Sequence, residues 1–118
     1  MSVIGPSFVA LQVRDLEASA RFYEERLGLT RAPASPPGAV VFATQPVPFA
    51  VREPAVDLSA VDRLGWGVAL WLKAEDVEKI HDDLVEHGVP IVTPPFDGPF
   101  GRTFVFADPD GYAVTLHG

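Results

Sequence analysis

Phe8-Val9-Ala10-Leu11-Gln12-Val13-Arg14-Asp15-Leu16 changes period in the middle, and that change decides the fold. Val9, Leu11 and Val13 alternate with Phe8, Ala10 and Gln12, the pattern of a half-buried strand. Asp15 can then accept orphan backbone N–H groups as an N-cap. Leu16, Ala20, Tyr23 and Leu27 follow at helical spacing, and Gly28 is free to adopt the left-handed conformation that ends a helix. The spacing predicts a helix over 15–27. The same switch recurs at Gly67-Val68-Ala69-Leu70-Trp71-Leu72, whose Val-Ala-Leu repeats that of the first strand. There Asp76 can cap a second helix, Val77, Ile80 and Leu84 form its expected buried stripe with His81 at the edge, and Gly88 ends it.

Between and after these runs the chain is punctuated by turn residues. Residues 33–38 are Pro-rich and irregular. Residues 39–43 and 48–52 read as strands joined by a turn holding Thr44, Gln45 and Pro46. Residues 54–65 have mixed polarity and no sustained period, as in a linker. In the second half, residues 90–93 read as short and extended, and 94–101 as a loop. Strands at 102–107 and 112–117 close the chain across Asp108-Pro109-Asp110-Gly111, which has turn chemistry at every position. An internal repeat outweighs any single element. The expected fold is α+β: two tandem βαβββ modules forming curled mixed sheets around a cup, with the helices outside. Module one covers about 7–53, the linker about 54–65 and module two about 66–118.

The chain has 118 residues, 47% of them hydrophobic and 21% charged, within the range of one globular domain. With no cysteine, disulfides and thiolate chemistry are excluded. The net charge of −7 and the lack of a basic stripe argue against nucleic acid as a partner; an acidic surface attracts cations. No apolar run approaches the ~18 residues of a membrane span, and Met1 to Gly5 lack the basic start of a signal peptide. The expected setting is the cytoplasm, with no membrane partner.

Strand alternation also states what lies opposite each helix. In the first half the face away from the helix holds Phe8, Ala10, Gln12, Val41, Ala43, Ala50 and Arg52. In the second it holds Gly67, Ala69, Trp71, Thr103, Val105, Ala107, Thr115 and His117. This set is too apolar for a solvated face and too small for a filled core. A hollow with aromatic walls and few polar groups is the usual character of a small-molecule site. Close packing of two sheets is the structural alternative.

Val13-Arg14-Asp15-Leu16-Glu17-Ala18-Ser19-Ala20-Arg21-Phe22-Tyr23, ending at Leu27-Gly28, resembles the opening of the vicinal oxygen chelate superfamily. Gly101-Arg102-Thr103-Phe104 and Phe106-Ala107-Asp108-Pro109-Asp110-Gly111-Tyr112 resemble its closing hairpin. That group includes glyoxalase I, the bleomycin resistance proteins and the extradiol dioxygenases. The resemblance implies the βαβββ repeat and, in the metalloenzymes, an ion held by His or Glu on the first, fourth, fifth and eighth strands. Carried onto this chain, those positions are Phe8, a residue near Ala50, Gly67 and Thr115. None supplies the imidazole or carboxylate that a divalent ion takes. Glu53, His117 and Gln12 are the remaining candidates for rescuing a metal. The resemblance is closest in type to metal-free, bleomycin resistance-like members, which are usually homodimers.

The expected ligand-binding residues are therefore Phe8, Gln12, Arg52, Trp66, Trp71, Arg102, Val105, Thr115 and His117, with no metal and no cofactor. Phe8 and Trp71 offer stacking surfaces, and Trp66 either joins them or packs against the linker. Arg102 either steers an anionic group or pairs with a surface carboxylate. Three functions fit. The first is a homodimeric protein sequestering a small organic molecule, such as an antibiotic or another aromatic or cationic compound. The second is a metal-free lyase, isomerase or cyclase using Gln12, Arg52, Arg102 or His117. The third is a module whose open face contacts another protein. The chemistry within reach names no catalytic residue.

Overall fold

A computed structural model describes residues 2–118, and the chain divides into two compact units, one ending at Ala60 and one spanning Val61–Gly118. The division falls inside the stretch read as a linker. The fold is α+β, with one helix and one mixed sheet in each unit. Among the described residues no helix is long and apolar enough to cross a membrane.

The first unit runs β1 (Val9–Gln12), α1 (Leu16–Glu25), β2 (Ala39–Phe42) and β3 (Phe49–Arg52). Its sheet has the order β1-β3-β2, with β1 parallel and β2 antiparallel to the central β3. The third strand expected after the helix is reduced to a single bridge, Arg31 to Phe42. The prolines at 33, 36 and 37 lack the N–H a longer ladder would need. Arg31 instead reaches α1, donating to Glu17 at 2.8 Å and to Glu24 at 3.1 Å. The Arg31 guanidinium holds the Glu17 carboxyl below its ordinary pKa.

α1 packs on β2 and β3. Tyr23 is fully buried there, its ring edge-on to Phe49 at 5.0 Å, and Phe42 stacks on Phe49 at 6.1 Å. Each such pair adds roughly 0.5–1.5 kcal/mol beyond its area burial. Val13, Ala20, Val40 and Val51 complete this core, as the alternation predicts. Leu58, in a single 3-10 turn (Leu58–Ala60), is also buried, so the start of the supposed linker is part of the unit.

The second unit runs β4 (Leu70–Lys73), α2 (Val77–Glu86), β5 (Ile91–Gly98), β6 (Gly101–Ala107) and β7 (Ala113–His117), in the sheet order β4-β7-β6-β5. β4 and β7 are parallel. α2 packs on β5 and β6, and Leu84, Phe104, Phe106 and Val114 are fully buried. Two sequence expectations change here. β4 starts at Leu70, because Gly65 and Gly67 take positive φ and the Val68 N–H turns back to the Gly65 carbonyl at 2.9 Å. Val68 is therefore 77% exposed and not a core residue. The region read as a loop is mostly strand: β5 runs through Pro94 and Pro95, leaving only Pro99 and Phe100 as the turn. β5 is an edge strand with two register shifts, where prolines are tolerated because one side of the backbone needs no partner.

The predicted closing turn forms. Gly111 N–H donates to the Asp108 carbonyl at 2.9 Å, and the buried Asp108 carboxylate accepts from the N–H groups of Asp110 and Tyr112.

The two helix starts differ. Asp15 caps α1 by accepting from Ala18 N–H at 3.1 Å. Asp76 stands at the N-cap of α2 but makes no capping bond, and its φ of 53° is left-handed, which aims the side chain elsewhere. At the other end Gly88, with φ of 74°, lets its own N–H reach Val85 and that of Val89 reach Leu84. In urea unfolding, Asp15→Ala is expected to lower stability by about 1 kcal/mol. Asp76→Gly is expected not to lower it, since no cap bond is lost and a left-handed position is relieved.

Candidate functional site

In each unit the helix covers one face of the sheet, so the open faces follow from register. In the first unit Ala10, Ala50 and Val41 lie side by side, and Gln12, Arg52 and Ala39 form the next row. Phe8 precedes β1 and is exposed. Small side chains keep this face low. Its polar members are already engaged: Gln12 Oε1 accepts from the N–H groups of Ala55 at 2.6 Å and Val56 at 3.2 Å. Gln12 therefore fastens the chain leaving β3. The exposed Arg52 donates from Nε to the Glu53 carbonyl at 3.0 Å.

The open face of the second unit has two rows. One is Trp71, Thr115, Val105 and Thr93; the other is Lys73, His117, Thr103 and Phe96. Thr103 and Thr115 are buried, forming a floor, while Trp71, 46% exposed, stands above them with Phe96 and Lys73. Phe100 in the β5–β6 turn joins Trp71 edge-to-face at 6.0 Å. The His117 ring contacts both, at 5.5 Å from Trp71 and 6.3 Å from Phe100. His117 Nδ1 lies 3.2 Å from the Phe100 carbonyl. A carbonyl only accepts, so Nδ1 carries the proton in this bond, and Nε2 is the acceptor of the neutral ring.

The structure thus brings together Trp71, Val105, Thr115 and His117 on one face. It places Phe8, Gln12 and Arg52 in the other unit. Arg102 sits on the helix side of β6, where its guanidinium pairs with Glu78 of α2 and, at 3.2 Å, with Asp97 of β5. The Glu78 carboxylate first, then Asp97, raises its pKa above the ordinary value. Trp66 lies outside the sheet, 76% exposed, with the Arg63 guanidinium 4.7 Å over its ring. Sequence reading missed Lys73, Phe96 and Phe100. Lys73 follows from simple alternation after Trp71; the two phenylalanines were hidden by the Pro-rich stretch that masks β5.

The residues do not fit a divalent ion held as in the superfamily's metalloenzymes. Phe8 offers a ring, Gly67 has no side chain and lies ahead of β4, Ala50 is buried methyl, and Thr115 is a buried hydroxyl. The described donor cluster, Glu78, His81 and Asp82, is on α2 instead. There Glu78 already pairs with Arg102, and His81 with Asp82.

A sequence model of the Glyoxalase/Bleomycin resistance protein/Dioxygenase superfamily matches residues 5–116. Among solved structures, the chain is similar to a glyoxalase/bleomycin resistance protein from Streptomyces sp. CB03234, with 25% identity, 97% of this chain and 100% of that chain covered, and a TM-score of 0.72. TnmS3, an antibiotic binding protein from Streptomyces sp. CB03234, shares the fold at 24% identity, covering 99% of this chain and 97% of that chain, with a TM-score of 0.73. So does FosX, a genomically encoded fosfomycin resistance protein from Listeria monocytogenes, at 21% identity, 98% and 93% coverage and a TM-score of 0.73. No curated protein is similar enough in sequence to count as a match.

The position of Gln12 gives a direct check on its structural role. Gln12→Ala removes the acceptor of two amides, each bond contributing about 1 kcal/mol. Hydrogen exchange at Ala55 and Val56 is expected to quicken about fivefold. The Val13 amide, bonded to the Arg52 carbonyl, is expected to stay protected.

Proposed function

This chain belongs to the glyoxalase/bleomycin resistance protein/dioxygenase superfamily, and from that premise we propose that it is a metal-independent binding protein for a small aromatic compound. The observation that carries this reading is the open face of the second unit. Trp71, Phe96 and Phe100 expose aromatic surface over a floor of Thr103 and Thr115. Exposed aromatics that converge on a few polar groups suit a flat ligand, which gains stacking and loses little conformational entropy. The donor chemistry at Phe8, Gly67, Ala50 and Thr115 points the same way, toward binding without a Lewis acid. Similarity to an antibiotic binding protein and a fosfomycin resistance protein extends the proposal to sequestering an antibiotic. The reading includes action in the cytoplasm as a homodimer.

A metal-free lyase or isomerase has less support. Two of the groups it would use, Gln12 and Arg102, are held by backbone amides and by carboxylates.

The test is a fluorescence screen of aromatic antibiotics against a Trp66→Phe variant, excited at the red edge where Trp71, its single tryptophan, absorbs and Tyr23 and Tyr112 do not. Saturable quenching is expected, unchanged by a chelator, with under about 0.1 equivalent of metal per chain by elemental analysis. A stoichiometric metal whose removal abolishes quenching would overturn the metal-independent reading. Light scattering is expected to give twice the chain mass of 12.7 kDa.

A further inference from the structure

The whole chain is acidic, but the open face of the second unit is not. Its register positions include Trp71, Lys73, Phe96, Thr103, Thr115 and His117, and none of its register positions is a carboxylate. The acidic residue of β5, Asp97, is on the opposite side with Arg102. Lys73 is the one lysine or arginine at the register positions of this face. It is exposed, two residues from Trp71 on the same side of β4, and beside His117 across the β4–β7 ladder. Among the described residues no ion pair engages Lys73, whereas Arg102 is held by two carboxylates.

We infer that the ligand of this face is a planar aromatic acid: an aromatic ring carrying a carboxylate or similarly anionic group, and not a cationic compound. This rests on the small-molecule reading above and narrows it. The ring stacks against Trp71, beside Phe100. The anionic group meets the Lys73 ammonium. His117 acts as a positioning residue. Its Nδ1 bond to the Phe100 carbonyl ties the hairpin turn to β7, and its ring contacts hold Trp71 and Phe100 edge-to-face. The aromatic wall is therefore assembled before the ligand arrives, which lowers the ordering cost of binding. A cation would also find Trp71 attractive through its ring face, but it would stand beside the Lys73 ammonium with no carboxylate at the paired positions of the face to offset the repulsion.

Three probes of one shape separate these possibilities: naphthoate, naphthalenemethanol and naphthylmethylammonium, titrated calorimetrically into the full chain at physiological ionic strength. Naphthoate is expected to bind about threefold tighter than the neutral alcohol, and the ammonium about threefold weaker, the size of one partly exposed charge interaction. Lys73→Met is expected to bring the affinities of the acid and the alcohol together. Trp71→Ala is expected to abolish binding of all three. Equal or tighter binding of the ammonium would overturn the acid assignment and leave the small-molecule reading standing. Binding of none, with the chain folded by circular dichroism, would overturn both.

Discussion

In each unit the first and last strands pair in parallel, β1 with β3 and β4 with β7, and such a ladder requires the chain between them to cross back. Here the crossing includes a ten-residue helix, which covers one face of its sheet and cannot reach the other. The consequence is chemical. One set of alternating residues is committed to Tyr23, Phe42 and Phe49, or to Leu84, Phe104 and Phe106, and the alternate set is released from core packing. The β4–β7 register then decides what that released set contains, placing Trp71 beside Thr115 and Lys73 beside His117.

Residue period and the Asp15 cap make most of this legible in the sequence. Alternation alone puts Val13, Val40, Phe42, Phe49, Val51, Phe104, Phe106, Val114 and Leu116 on the helix side, where all are buried, and Val9, Leu11, Leu70 and Leu72 with them, which are half-buried. Alternation failed where backbone conformation, and not side-chain pattern, set the outcome. Gly65 and Gly67 bend the chain before β4, so Val68 belongs to a turn although its neighbours repeat the first strand. Pro94 and Pro95 read as loop because a proline cannot donate. At a sheet edge that donor is not required, and β5 carries both.

The site was less legible than the fold, for a related reason. Residue type reveals chemistry, but which face a residue takes depends on register, and engagement depends on neighbours far along the chain. Gln12 and Arg102 carry the groups that polarise substrates elsewhere. Here one holds the amides of Ala55 and Val56, and the other lies with Glu78 and Asp97 on the helix side. Lys73 carries an ordinary surface side chain, and nothing in its local sequence separates it from the other cations. Its significance comes from the absence of any carboxylate in the two rows that surround it.

That absence also limits what net charge says about a ligand. A charge of −7 spread over the chain acts at long range, and at physiological ionic strength such fields fade within about 8 Å. It governs solubility and the approach of charged molecules. Selection at the face is made at contact distance, where one ammonium beside an aromatic ring outweighs remote carboxylates that salt already screens. The acidic total and the acid-selecting face are therefore compatible, because they operate over different distances. A ligand would be slowed slightly in approach and held by what it touches.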